Sequence, residues 1–443
     1  MGRSRGVVML VSSRKRLLIV GHGMAATRLV RDLEEKSPGQ FAITIVGEEK
    51  LGGYNRVLLS SLLAGESDEA SLAMQDQSWY RQHEILLIAG DAVSGIDLGR
   101  QSATTESGRK LNWDYLVLAT GSRAARLPIP GVGLEGVMTL RTLHEAKQLI
   151  ARSRDAGNPE SDKKAVVVGG GLLGLEAACA LWARGMQVTV VHNESWPMNR
   201  QLDGEAGELL RRTLEQRGIG FIPEANCVRF ESDARGETVS TLLLADGRRL
   251  PCTTAVMALG IIPEVSLARQ LDLVVERAIV VDKWLQTSDE RVFALGECCQ
   301  IESELFGLVA PIYQQADILS AVLLYKATTG AERISHDVDD HASVLPHYQR
   351  QPLPTRLKVS GVDVFSAGMM ASPDNSAPLR SMAMRDGHTG HYRRLWWRGN
   401  QLVGAVMFGD IGDSSHYLRL IEEGCSADSS PATLLAPSTR VAS

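Results

Sequence analysis

The sequence predicts an α/β fold in which two Rossmann-like dinucleotide-binding domains are nested in one chain and followed by a small C-terminal α+β module. Three observations carry that expectation. A strand-length apolar run leads into the glycine turn Gly21-His22-Gly23-Met24-Ala25-Ala26 and a helical segment; the same succession recurs at Gly169-Gly170-Gly171-Leu172-Leu173-Gly174; and a later apolar run ends in Gly296-Glu297. Strand, glycine turn and helix in that order are what a dinucleotide site requires. The first glycine makes the tight turn, the second lets backbone approach a pyrophosphate, and the third position, Ala26 or Gly174, allows close helix packing. Phosphate then sits at a helix N-terminus, where free N–H groups and the helix dipole favour negative charge. The candidate cradles are therefore Gly21, Gly23, Ala25 and Ala26 in the first turn and Gly169, Gly171, Leu172, Leu173 and Gly174 in the second.

Composition bounds the rest. A chain of 443 residues suggests about three domains at roughly 150 residues each. A net charge of −5 and 5% aromatic residues give no basic or base-stacking surface for nucleic acid. The six cysteines form no C-x-x-C pair or ligand cluster, so no metal site and no disulfide framework is expected. No apolar stretch reaches roughly 18 residues, and the run at 6–11 is too short for a signal sequence. A cytoplasmic protein without a membrane partner is expected.

In the first unit, a strand at 17–20, a helix at about 24–36 and a strand at 42–46 lead to Gly47-Glu48-Glu49. Glu48, at the strand end, is placed to accept both hydroxyls of an adenosine ribose. Arg56 carries a guanidinium fork that matches pyrophosphate oxygens, and a helix start follows at 57–63. Residues 85–110 read as a small antiparallel excursion. The buried strand at 113–118 ends in Ala119-Thr120-Gly121, small enough for backbone to pass close beside a cofactor.

The second unit follows a polar linker at 152–164, with a strand at 165–168, a helix through 184 and a strand at 187–191. Glu176 either orders the nicotinamide side of a nucleotide or is an acid favoured by the helix dipole. The second strand ends in His192-Asn193-Glu194, so the ribose-binding acid is missing from its usual place, and residues 191–196 hold no arginine for a 2′-phosphate. The choice between NADH and NADPH stays open, with a lean to NADH, and His192 either bonds within the protein or touches the nucleotide. Strands at 238–244 and 249–250 precede a run through Gly260 that returns to the first domain. The run at 287–298 then ends in Gly296-Glu297-Cys298, placing a carboxylate below a helix N-terminus, where it can accept a ribityl or pyrophosphate-side hydroxyl. That arrangement implies a flavin.

Together these residues resemble the FAD-dependent pyridine nucleotide-disulfide oxidoreductase-like family, with its glutathione-reductase-like fold. The narrower resemblance is to the flavoprotein portion of the assimilatory NAD(P)H nitrite reductase large subunit and to the electron-transfer subunit of assimilatory nitrate reductase. It rests on Gly47-Glu48-Glu49, Tyr54-Asn55-Arg56-Val57-Leu58-Leu59-Ser60, Val190-Val191-His192, Arg200-Gln201-Leu202-Asp203, Gly296-Glu297-Cys298 and Gly307-Leu308-Val309-Ala310-Pro311. It implies FAD on the first turn, with NADH or NADPH as electron donor on the second. Flavin-mediated hydride transfer needs proximity rather than a protein acid or base, so no catalytic residue is named. Pro311 is expected to begin a helix at 312–325 whose N-terminal N–H groups face the flavin pyrimidine.

The implied domains are residues 14–126 with 257–330 for FAD, 127–256 for NAD(P)H, a linker at 331–354, a module at 355–425 and a disordered tail at 426–443. Residues 48–65 contain no cysteine, so disulfide and peroxide chemistry there is excluded. Nitrite reduction is not expected of this chain, because Cys425 alone lies in its last hundred residues while the resembling subunit holds its clusters on cysteines. The implied partner is a nitrate reductase catalytic subunit or a small iron–sulfur carrier, as for a rubredoxin or ferredoxin reductase. A redox sensor that binds NADH without turnover is the alternative of another class. Three features stay open: Cys298-Cys299 as a strained disulfide or as small buried residues, Trp396 or Trp397 as an exposed docking contact or as packing, and the acid and histidine mixture at 336–341 as a metal site or a solvated linker.

Overall fold

The computed structural model describes residues 14–155, 163–331, 334, 345–350, 354–359, 361–370, 379–424 and 434–435. Two compact units emerge: residues 1–55, 70–123 and 261–349, and residues 56–69, 124–260 and 350–443.

In the first unit the apolar runs pair into a parallel sheet of five strands, in the order Val292–Ala294, Tyr115–Leu118, Lys15–Val20, Phe41–Gly47 and Leu86–Ala89. Such strands are covered on both faces and so carry no polar alternation; Leu17, Leu18, Ile19 and Val20 are all buried. The Met24–Lys36 helix buries Ala26, Leu29, Val30 and Leu33, the spacing of one helical face. Two expectations are corrected. Residues 86–89 are not part of the antiparallel excursion but form the parallel edge strand beside Phe41–Gly47; the excursion is Val93–Asp97, Ser102–Thr105 and Lys110–Asn112. A short apolar run does not reveal its pairing partner. The helix expected to begin at Pro311 starts at Val309 and runs to Thr329. Proline is tolerated there because N–H groups of the first turn lack intrahelical partners anyway.

The second unit repeats the plan with a parallel sheet ordered Gly220–Ile222, Gln187–Val191, Lys164–Val168, Thr254–Met257 and Val137–Met138. The polar linker expected at 152–164 is shorter than predicted: Arg152 to Asp155 complete the Leu143–Asp155 helix and Lys164 opens a strand. Residues 56–69 group with this unit. Their Leu59–Ala64 helix packs on the Leu172–Ala183 helix, and Arg184 donates to the carbonyls of Leu62 and Leu63 at its C-terminal end.

The same unit carries the C-terminal module, an antiparallel sheet ordered Thr355–Val359, Val362–Gly368, Gln401–Phe408, Tyr392–Arg398 and Arg380–Arg385. The Ser414–Glu423 helix covers it, with Phe365, Leu395, Trp397, Leu402 and Tyr417 in the core. Trp396 and Trp397 are both buried, so neither indole is an exposed docking contact; the pairing register shifts between them, and Arg394 lies over the Trp396 ring. The tail at 426–443 lies outside the described residues apart from Leu434 and Leu435, which pack into this core. The stretch 336–341 also lies outside them. Among the described residues no helix is long and apolar enough to cross a membrane.

Candidate dinucleotide sites

The Gly21 turn is closed by a backbone crossing. Gly21 has φ +96° and lies so near the Ala119 carbonyl that a Cβ would run into it. The Ala119 N–H in turn donates to the Val20 carbonyl (2.8 Å), so the Ala119-Thr120-Gly121 segment passes directly over the turn. The Met24–Lys36 helix begins at Gly23 without a side-chain cap, which leaves the N–H groups of its first turn open. Two other helices are capped, by Asp76 at 77–82 and Asp203 at 204–216, while those at 59–64, 266–270 and 414–423 start without a side-chain cap as well. Beside the turn, Gly296 lies 3.2 Å from Ala25 when a Cβ is placed on it. Its neighbour Glu297 accepts the Ser122 hydroxyl (2.8 Å), and Thr120 donates to the Glu264 carbonyl (2.7 Å). Glu48 is exposed at the end of its strand, while Glu49 accepts the Tyr54 hydroxyl (2.7 Å). Pro311 is buried in the first turn of the Val309–Thr329 helix, which also starts uncapped.

Gln315 on that helix accepts the Gly296 N–H (2.7 Å) through Oε1. Its Nε2 is buried with no hydrogen-bond partner among the described residues, and an unmet buried amide is costly unless something accepts from it. The uncapped helices, the glycine crossing and this amide fit a phosphate-bearing cofactor with further acceptor groups, which FAD is. Ser122 and Gln315 were missed by sequence reasoning: neither belongs to a glycine motif, and only the fold brings them to Glu297 and Gly296.

The Gly169 turn is built likewise. Gly169, at φ +116°, faces the Ala258 carbonyl, and the Leu172–Ala183 helix starts at Gly171 uncapped. A Cβ on Gly174 would collide with the Gly169 carbonyl, so the helix packs closer than Ala26 permits in the first unit. Gly260 gives its carbonyl to the Ala125 N–H (3.0 Å). Leu173 is exposed at the helix start.

His192 makes two hydrogen bonds within the protein. Its Nδ1 accepts the Gly170 N–H (3.1 Å), so Nε2 carries the proton and donates to Asn199 Oδ1 (3.2 Å). Burial lowers its pKa, opposed by Asn199 and Glu194, so the ring is neutral at pH 7. Glu176 sits on the helix with its carboxyl pushed up by burial, while a hydrogen bond from Ser60 pulls the other way. Arg56, expected at a pyrophosphate, groups with the second unit and donates from Nη1 to the Arg141 carbonyl (2.9 Å). Cys298 and Cys299 are free thiols, fully buried, donating to the carbonyls of Leu118, Leu295 and Gly296. Burial raises both pKa values; no vicinal disulfide forms, and thiols held this way are poor nucleophiles.

Known proteins share this plan. The chain is 36% identical over 425 residues to the nitrite reductase [NAD(P)H] of Bacillus subtilis, covering 96% of this chain and 49% of that one. It is 33% identical over 407 residues to the assimilatory nitrate reductase electron transfer subunit of Bacillus subtilis, covering 91% and 49%. Thus the chain spans about half the length of these curated relatives. Among solved structures, the ferredoxin reductase for the CYP199A2 system from Rhodopseudomonas palustris aligns with a TM-score of 0.77 at 25% identity, covering 91% of this chain and 93% of that one. Residues 354–425 match the rubredoxin NAD+ reductase C-terminal domain. Residues 15–317 match the pyridine nucleotide-disulphide oxidoreductase family, to which the chain therefore belongs, as an oxidoreductase that works with FAD and NAD(P)H.

Proposed function

We propose that this chain takes electrons from NAD(P)H and passes them through FAD to a separate redox protein, the catalytic subunit of an assimilatory nitrate reductase. In this reading the Gly21 turn holds FAD. Gly21, Gly23, Ala25 and Ala26 receive the pyrophosphate, Glu48 the adenosine ribose and Glu297 the ribityl side; Ala119, Thr120 and Gly121 pass over the cofactor, and the helix containing Pro311 presents N–H groups toward the flavin ring. The Gly169 turn holds NAD(P)H, with Gly169, Gly171, Leu172, Leu173 and Gly174 at its pyrophosphate and Glu176 and Gly260 toward the nicotinamide. When bound, FAD accepts two electrons as hydride and can release them singly, which suits a one-electron acceptor. The protein's part is to hold the two nucleotides and exclude water.

What supports the reading is the similarity, at 33% identity, to a relative named an electron transfer subunit, that of assimilatory nitrate reductase. At 91% of this chain, the similarity is too long to stop at the two nucleotide-binding domains. A second reading, reduction of a rubredoxin or ferredoxin carrier, is favoured by the match of residues 354–425 to the rubredoxin reductase C-terminal domain. Anaerobic reduction by NADH and by NADPH, followed by each candidate acceptor, separates them. Reoxidation by a nitrate reductase catalytic subunit supports the first reading. Reoxidation by rubredoxin or ferredoxin alone replaces it with the second, and flavin that neither nucleotide bleaches points to a sensor.

A further inference from the structure

Residues 192–203 connect the Gly169 turn to the C-terminal module. At one end the loop holds both main-chain polar groups of Gly170: the N–H donates to His192 Nδ1 (3.1 Å), and the carbonyl accepts the Met198 N–H (2.9 Å). At the other end Asp203 caps the Gly204–Gln216 helix, accepting the Ala206 N–H (3.2 Å) through Oδ1. Its Oδ2 accepts the Tyr392 hydroxyl (2.6 Å) and Arg394 Nη1 (3.0 Å), both from one strand of the C-terminal sheet. The loop between is tied to itself. Gln201 and Leu202 both donate to the Met198 carbonyl (2.8 Å each), Trp196 Nε1 donates to the Leu202 carbonyl (3.1 Å), and a Cβ on Gly207 would run into the Trp196 ring.

We propose that Tyr392 and Arg394 are positioning residues for the NAD(P)H site, fixing through Asp203 the loop that holds the Gly169 turn. The proposal rests on the assignment of NAD(P)H to that turn. A helix needs its cap but does not need two more donors on the same carboxylate. Asp203 is nearly buried, its side chain 11% exposed, and satisfying a buried carboxylate from a second module pins the loop end to that module. Burial and the adjacent carboxylate keep the Tyr392 phenol protonated, so it remains a donor. Pairing register places Asn193 where Glu48 stands in the first unit, and Asn193, Glu194 and Arg200 are all exposed on the loop. A shift of the loop therefore moves the groups nearest the ribose 2′ position as well as the Gly170 peptide.

The test uses the flavin-loaded full chain and the variants Tyr392→Phe, Arg394→Gln and Asp203→Asn, the last keeping an acceptor for the helix cap. NAD+ and NADP+ binding is measured by calorimetry, beside flavin content and the rate of flavin bleaching at saturating NADH. The expected result is an NAD+ Kd raised about five- to tenfold and a changed NAD+/NADP+ ratio, with flavin content and the saturated rate within about twofold of wild type. A Gly174→Val control separates the two ways to fail. If Gly174→Val binds NAD+ at wild-type affinity, the assignment of the second turn falls and the proposal with it. If Gly174→Val loses binding while Tyr392→Phe and Asp203→Asn keep the wild-type Kd and ratio, the proposal alone is overturned.

Discussion

The two glycine turns share a backbone design and differ in how each is filled. In both, the first glycine crosses the carbonyl of an alanine, Ala119 or Ala258, and the following helix begins uncapped. In both, an imidazole occupies the gap between the turn and the end of the neighbouring strand, but it comes from opposite sides. His22 reaches from the first turn to where a Cβ on Gly47 would lie; His192 reaches from the strand end to where a Cβ on Gly170 would lie. The first arrangement leaves the strand end small, with Glu48 next along it. The second puts the histidine where Gly47 stands in the first, with Asn193 in the place of Glu48, and the imidazole bonds to the turn and Asn199. The neighbours differ as well. The first turn is enclosed by Gly296, and near it lie Glu297 and the buried amide of Gln315; the second is bounded by the 192–203 loop. On the proposed assignment, the first turn holds the permanent cofactor and the second the one that leaves.

The comparison breaks most directly at the crossings. Gly21→Ala strains a positive φ and meets the Ala119 carbonyl, so purified protein is expected to lose its flavin at least about tenfold relative to wild type, read from the visible-to-ultraviolet absorbance ratio. Full flavin occupancy in that variant would place FAD elsewhere. Glu297→Ala removes the acceptor of Ser122 and a proposed cofactor contact. Flavin retention on dilution is expected to weaken about tenfold, at roughly 1–3 kcal/mol, with NAD+ affinity unchanged.

His192 sharpens the contrast through pH. Its folded pKa is depressed by burial, so the neutral ring's contribution is complete above the unfolded value of about 6.5 and is lost as pH falls through the folded pKa. Protonation removes the acceptor of the Gly170 N–H. NAD+ affinity is therefore expected to fall several-fold as acidification passes below the ordinary imidazole range, and the His192→Gln variant should lack that slope; an identical slope in both would assign it to another group. The smallest effect is at the third turn position. Ala26→Gly is expected to cost about 1 kcal/mol of stability through helix propensity alone, seen as a lower thermal midpoint with flavin retained, whereas Gly174→Ala should cost more because its Cβ meets the Gly169 carbonyl.

Much of the scaffold was legible because its signals are local. Glycines at required turns and unbroken apolar runs located the Met24–Lys36 helix and the Gln187–Val191 strand to the residue. Signals that depend on partners were not local. Nothing in residues 86–89 distinguishes a parallel edge from an antiparallel ribbon, and Trp396 beside Trp397 reads as one indole in and one out until a register shift and packing on both faces bury both. At the sites, the turn residues were visible, while Ser122, Gln315, Met198 and Asn199 became visible only when distant segments met. His192 stands out in the sequence at the strand end, but its partners Gly170 and Asn199 emerge only in the fold.

The division of labour between the turns is the central claim, and the Gly174→Val variant tests it most directly. The measurement is an anaerobic titration of the purified variant with NADH, following the visible flavin band. The account predicts protein that carries flavin at wild-type occupancy and is not bleached by NADH under conditions that bleach wild type fully. Protein that purifies without flavin, or flavin that NADH reduces at the wild-type rate, would contradict it.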